Sequence, residues 1–230
     1  MSILEALWQA LCLLFRGDPQ LLGIVKLSFE VSGIALAISA FLGIPAGAFL
    51  GLHRVPGRRV MTALIYTGMG LPPVVVGLVV YMLLSRSGPF GWLGWLFTPR
   101  AMILAQVILA FPVIAGFVMA SVMGVDPELS LQLRSLGATR WRISWTILRE
   151  ARHGVLAALV AGFGSIISEV GSVMMVGGNI EGRTRVLTTA IVLETQKGNF
   201  PFAIALGFVL LGIVFVINAA LILLQGDASR

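Results

Sequence analysis

Charge is scarce in this sequence. Only 11% of the 230 residues are Asp, Glu, Lys or Arg, while 58% are hydrophobic, and the mean hydropathy is +0.99. A water-soluble domain carries roughly 25% charged residues because its surface must face water. Too little polar material is present here to cover such a surface, so lipid has to be the solvent for most of the chain. That excludes a soluble enzyme, a disordered linker and a nucleic-acid-binding module. The single cysteine, Cys12, excludes an intramolecular disulfide framework, and two histidines, His53 and His153, are too few for a histidine metal site. Lysine occurs only at Lys26 and Lys197, and neither lies in a GK[ST] tripeptide. The chain therefore has no phosphate-binding P-loop and cannot hydrolyse ATP by that route. A net charge of +6 does not point to nucleic acid, because the basic residues are scattered between apolar runs.

What the sequence does have is long apolar runs. A span needs about 20 mostly apolar residues. Windows near 27–52, 60–85, 101–124, 154–176 and 201–224 qualify, with Glu30, Pro72-Pro73, Pro112 and Glu169 as their interruptions. Residues 1–16 are too short and too interrupted to span. They lack the basic start and cleavage site of a signal peptide, and Leu4, Leu7, Trp8, Leu11 and Phe15 recur at helical spacing. An amphipathic helix on the membrane surface or one packed on the bundle is expected for residues 1–19. The transmembrane domain then covers 20–225, leaving a tail at 226–230. Arginines concentrate at 53–59 and 126–152, which five spans place on one side of the membrane. The positive-inside rule makes that side cytoplasmic, with the N-terminus outside and the C-terminus inside.

Gly43, Gly47 and Gly51 form a small-xxx-small stripe that lets another helix approach closely. Met69, Gly70, Pro72, Pro73 and Val74 mark a break at mid-depth in the second span, the one strongly broken span visible in the sequence. Proline frees a backbone carbonyl, which lipid tolerates only where protein or a water-filled cavity satisfies it. The break is expected to line a pathway, with a simple kink as the alternative. Glu169 in the fourth span should face the bundle interior, because a charge at the bilayer centre is costly. Two readings stand for it: gating with Ser165, Ser168 and Ser172, or a structural hydrogen bond to backbone. The second is preferred, since an ionised carboxylate repels an anion in its path.

Residues 126–152 are too polar to span and too regular for a plain loop. Pro127-Glu128 opens a helix whose Leu129, Leu133 and Leu136 share a face; Gly137 stops it; Thr139 caps a second helix beginning Arg140-Trp141-Arg142. The result is a bent helical pair displaying Arg134, Arg140 and Trp141, either as an interfacial anchor or as a docking element for a partner.

The run Arg134-Ser135-Leu136-Gly137-Ala138-Thr139-Arg140-Trp141-Arg142 resembles the coupling-helix loop of ABC importer permeases, written EAA-x-x-x-G. Leu131, Gln132 and Leu133 replace the EAA residues, and Arg149-Glu150 stands where Leu-Pro is common. Further on, Ser168-Glu169-Val170-Gly171, Met174 to Ile180, and Gly182 to Ile191 are similar to molybdate, tungstate and sulfate permeases. Leu187 to Ile191 with Leu193-Glu194-Thr195, Gly70 to Gly77 and Phe97-Thr98-Pro99 look closest to the tungstate type.

The resemblance covers nearly the whole chain. It implies an all-α integral membrane protein of type I ABC importer permease architecture, with about five transmembrane helices and a cytoplasmic coupling helix. The implied role is passage of a tetrahedral oxyanion, tungstate or molybdate, across the cytoplasmic (inner) membrane. Implied partners are a second copy of the chain, two ATPase subunits and an extracytoplasmic binding protein; ATP and Mg belong to the ATPase, so no cofactor is expected in this chain. Leu133, Arg134, Leu136, Gly137, Ala138, Thr139, Arg140 and Trp141 would dock on the ATPase. In the outward loop 177–200, given a flexible entrance by two glycines, Arg183, Arg185 and Lys197 would steer the binding protein or the dianion, or else anchor the loop at lipid headgroups. The competing class is an ion-gradient-driven secondary transporter. Such proteins usually carry coupling carboxylates or paired broken helices, and only Glu169 and one strong break answer to that here.

Overall fold

The computed structural model describes residues 18–53 and 55–226, together with Trp8 and Cys12; the surface helix expected over 1–16, Arg54 and the last four residues lie outside the described residues. Every regular element among them is helical. Helix α1 runs Pro19–Leu52, longer than its apolar window, because Asp18 accepts hydrogen bonds from the Gln20 and Leu21 amides and Pro19 supplies a pre-set first residue. The second window is two helices, α2 (Arg58–Met69) and α3 (Pro73–Leu84), meeting at 101°. Helix α4 (Pro99–Met123) follows a tight aromatic loop. Then come α5 (Pro127–Ser135), α6 (Arg140–Glu150), α7 (Arg152–Ile167), α8 (Gly171–Gly177), α9 (Leu187–Gln196) and α10 (Phe200–Gly226). Among the described residues three helices are long and apolar enough to cross a membrane, and counting the bent pairs α2/α3 and α6/α7 as one span each makes five.

One expectation is corrected here. The fourth window was read as a continuous span carrying Glu169, but α7 ends at Ile167 and α8 begins at Gly171. Among the described residues the apolar windows therefore carry two interruptions, besides the 65° bend between α6 and α7 at the edge of the fourth window. The second carries no proline, so the strongest sequence signal for a break is absent from it.

Helix α4 is the hub. Ala101, Ala105, Ala110, Ile114, Ala115, Val118 and Met119 are fully buried, and α1, α2, α3, α7 and α8 all pack on it. Lipid is as apolar as leucine, so helices associate here by close van der Waals fit rather than by escape from water. The Gly43-Gly47-Gly51 stripe of α1 supplies that fit. A Cβ at 43 would lie 3.0 Å from Ile114 Cγ2, one at 51 would lie 3.0 Å from Val122 Cγ1, and one at 47 would run into the Ala115 carbonyl oxygen. Gly68 lets α2 rest on the ring of Pro112, where a Cβ would come within 2.7 Å of the proline Cβ.

Substitution at this seam tests the hub. Gly47→Leu is expected to lower stability by about 2 kcal/mol or more, the scale of overpacking against backbone that cannot move. Gly33→Ala on the same helix, where nothing lies within 4 Å of the added Cβ, should stay within about 0.5 kcal/mol of wild type. Thermal unfolding of the two variants in the same detergent makes the comparison.

Candidate functional site

Chemistry-bearing residues gather in three places. The first is where the two interruptions meet. At the α2/α3 break the Gly70 amide donates to the Thr67 carbonyl at 3.1 Å and Leu71 to Gly68 at 3.3 Å, so α2 ends in a tightened turn. Pro72 and Pro73 then open α3, where missing N–H groups cost nothing. Helix α3 packs on α8: Gly77 stands against Ser172, with a virtual Cβ 2.7 Å from its Cα, and Val74 Cγ2 fills the space beside Gly171. Val74 and Ser172 are thereby brought together with Glu169. Met69 instead sits against Gly116 of α4. Gly70, Pro72, Pro73 and Val74 are exposed on this single chain, as are Val75, Leu78 and Val79 beyond them.

Glu169 is 8% exposed. Its Oε1 accepts the Ser172 amide at 2.9 Å, capping α8, and its main-chain carbonyl accepts the Thr188 hydroxyl at 2.8 Å. A carboxylate at the first turn of a helix is favoured by the helix dipole. Among the described residues no cation pairs with it. Ser168 is exposed and its hydroxyl donates back to the Gly164 carbonyl, Ser165 is half-buried, and the buried Ser172 hydroxyl has no partner. Gln106, not singled out by the sequence reading, lines the same small cavity as Glu169, Ser32 and Thr188. Its amide donates to the Ile166 carbonyl at 3.3 Å, while its Oε1 is unpartnered. The available signal was a lone amide inside an apolar span.

The second place is the elbow of α5 and α6. Asp126 caps α5 through the Glu128 amide at 2.9 Å, and Thr139 caps α6 through the Arg142 amide at 3.4 Å. Gly137 lies between them at φ +75°, the left-handed region that only glycine enters cheaply. Leu129 and Leu133 pack inward, as do Ile143 and Ile147 of α6, and Ala138 is half-buried between them. Leu136 departs from its expected face: it sits at the helix end and is 81% exposed. Arg134, Thr139, Arg140 and Trp141 are exposed. Trp145, which sequence reading passed over, is exposed one turn beyond Trp141 on the face opposite Ile143 and Ile147.

The third place is the connection 177–200 at the opposite end. Its glycines do not leave it loose. The buried Thr184 hydroxyl donates to the Gly177 carbonyl at 2.7 Å and accepts the Ile180 amide at 2.9 Å, and the Leu187 amide donates to Ser28 of α1 at 2.8 Å. Arg183 is exposed, but Arg185 is turned inward, 8% exposed and 3.3 Å from Glu181. Arg185 is thus buried in this single chain with Glu181 as its ion-pair partner, and its Nε and Nη1 make no hydrogen bond among the described residues. Lys197 Nζ donates to Glu194 at 2.9 Å and Asn199 donates to its other oxygen at 2.9 Å. Burial pushes the Glu194 carboxyl up, but these two hydrogen bonds and the charges of Lys197 and Arg185 hold it below its ordinary value.

The sign of that shift fixes a pH window. A lowered carboxyl stabilises the fold above the ordinary value of about 4.5, and the contribution is lost as pH falls through the lower folded value. Wild type should lose thermal stability on that acid side more steeply than Glu194→Gln, in melts run from neutral pH downward. Identical pH dependence of the two would contradict the account of this turn.

Comparison with known proteins places the chain in a family. Residues 43–226 match the family described as the binding-protein-dependent transport system inner membrane component. A probable anion ABC transporter permease protein of Haloferax volcanii is 48% identical over 204 residues, covering 86% of this chain and 88% of its own. The tungstate uptake system permease protein of Peptoclostridium acidaminophilum is 43% identical over 225 residues, covering 98% of this chain and 99% of its own. Among solved structures, an inward-facing methionine ABC transporter superposes with a TM-score of 0.76 over 92% of this chain and 97% of that one, at 19% identity. A bacterial ABC transporter involved in alginate import gives 0.75 over 93% of this chain and 81% of that one, at 21% identity. The fold is that of a type I ABC importer permease, and the chain belongs to the family of binding-protein-dependent transport system inner membrane components.

Proposed function

We propose that this chain is the membrane-spanning permease subunit of an ATP-driven importer for a tetrahedral oxyanion, tungstate foremost and molybdate next. The observation that carries the reading is the similarity to a tungstate uptake permease along 98% of the chain. The absence of a GK[ST] tripeptide from the sequence fits a motor supplied in trans by two ATPase subunits, which bind the ATP and Mg. Two copies of the chain form the path, with the exposed faces of α2 and α3 and the meeting point of the two interruptions lining it. The end bearing Arg58, Arg59, Arg134, Arg140, Arg142, Arg149 and Arg152 is cytoplasmic on the positive-inside rule. The elbow there docks on the ATPase through Leu133 to Trp141. At the other end Arg183 and Lys197 face a binding protein that delivers the anion, and their charge speeds its encounter.

Reconstitution with the cognate ATPase and binding protein tests the assignment. Radiolabelled tungstate should enter liposomes only with ATP and all three components, with molybdate competing better than sulfate. Uptake driven by a sodium or proton gradient without the ATPase would sink it and favour a secondary transporter.

The elbow makes a narrower prediction. A β-branched residue at 137 pays roughly 1–2 kcal/mol to hold positive φ, enough to straighten or displace a short exposed helix pair. Gly137→Val should leave the membrane bundle folded yet cut ATP-driven uptake at least about tenfold, the effect of 1.4 kcal/mol on a coupled equilibrium. Uptake and ATPase pull-down on the same preparation read both consequences.

A further inference from the structure

At the end of the bundle that carries the elbow lies an open cavity of about 920 Å³, bordered by the last turn of α1, the start of α2, the end of α4, and α5 and α6. Its charge is one-sided. Arg58, Arg134, Arg140 and His53 line it, and Asp126 is its one acid. Asp126 Oδ1 caps α5 by accepting the Glu128 amide, and its single charge leaves the three arginines in excess by two. Arg58 is held in place, with Nε donating to the Leu50 carbonyl at 2.8 Å and Nη2 to Met123 Sδ at 3.3 Å. Arg134 and Arg140 reach the cavity from opposite sides of the Gly137 turn, so the fold spends a left-handed residue on bringing them together. Neither they nor Arg58 form a salt bridge among the described residues.

One further feature raises the positive potential. Helix α6 starts at Arg140 with no acidic residue in its first turn, so its dipole adds to the arginines rather than offsetting them. Ile143, Ile147 and Val122 form an apolar wall beside the charges. Like charges gathered in this way are unfavourable until an anion joins them. Arginine is suited to that role, because its planar fork meets phosphate-like oxygens two at a time.

We propose that this cavity is an anion site for a tetrahedral oxyanion group, supplied either by the phosphate of an acidic lipid headgroup or by a free dianion. Basic pockets at the cytoplasmic ends of spans take lipid phosphates of this kind. The volume admits a headgroup, and the same donors would accept a free dianion. An occupant ties the α1–α2 turn to both helices of the elbow, so it stiffens the element proposed to move with the ATPase. The site lies at the opposite end of the chain from Arg183 and Lys197 and is independent of substrate delivery.

Protection of a cysteine in the wall tests the proposal on the assembled permease–ATPase complex. Ser144 lines the cavity, and Ser144→Cys in a Cys12→Ser background can be modified with neutral N-ethylmaleimide. One arm uses phosphatidylcholine nanodiscs titrated with sodium sulfate against sodium chloride at equal ionic strength. The other compares phosphatidylcholine nanodiscs with ones containing phosphatidylglycerol, without free dianion. Modification should slow about fivefold when the anion is present at about four times its dissociation constant. Slowing in the first arm assigns a free dianion, and slowing in the second a lipid phosphate. In complexes first shown by co-purification to have assembled, Arg134→Gln with Arg140→Gln should abolish it, while Arg134→Lys with Arg140→Lys, which keeps the charge, should retain it in part. No slowing in either arm overturns the proposal. So does slowing that survives the double Gln change, or complete protection of the complex without any anion, which would mean that an ATPase carboxylate already fills the cavity.

Discussion

The close approach of small residues to helix α4 is the constraint on which the rest of this molecule depends. In lipid, apolar side chains gain nothing by leaving their solvent, so helices hold together only where their surfaces fit. Here the fit comes from glycines placed on the neighbours of α4. Gly43, Gly47 and Gly51 let α1 lie against Ile114, Ala115 and Val122, Gly68 lets α2 rest on Pro112, and Gly177 admits Met102 at the start of α4. Each contact leaves no room for a Cβ without displacement. The centre of the bundle is accordingly tightly filled, and the breaks and the elbow lie at its margins.

Those margins are where backbone regularity is given up. The α2/α3 and α7/α8 interruptions free backbone groups at depth, and protein satisfies them locally: Gly70 and Leu71 donate within the last turn of α2, and the Glu169 carboxylate caps α8. Broken helices survive in a membrane only where such groups are buried in protein or line a cavity. The two breaks touch, through Val74 on Gly171 and Gly77 on Ser172. A shift of one is therefore felt by the other. The elbow is anchored to the same bundle by Leu129, Leu133, Ile143 and Ile147 around Val118 and Val122 of α4. In the proposed importer this chain of contacts carries the ATPase movement to the path, with α4 as the fixed body against which both ends move.

Much of this was legible in the sequence where a residue type has one physical use. Pro127 at a helix start, Thr139 as a cap and Gly137 at positive φ follow from backbone sterics alone, and the five apolar windows follow from bilayer thickness. Long-range packing left no such mark. The α7/α8 break carries no proline, so it read as continuous. Arg185 looks equivalent to Arg183 two residues earlier, yet it is buried and lies 3.3 Å from Glu181. Leu136 shares a nominal face with Leu129 and Leu133, but α5 ends at Ser135 and the leucine swings out to solvent. Gln106 was hidden by the apolar run around it. In each case the deciding contact comes from a distant segment or from a helix end set one residue earlier than periodicity implied.

The central claim is that the elbow and the broken spans move together around a rigid α4. Spin labels at Val74→Cys in the two copies of a Cys12→Ser complex measure it directly, as a distance across the path by double electron–electron resonance. The account predicts that this distance changes between the nucleotide-free and ATP-bound complexes, while a pair placed within one chain at Ala37 of α1 and Leu104 of α4 does not. A Val74 distance indifferent to nucleotide, in a complex shown to transport, would contradict it.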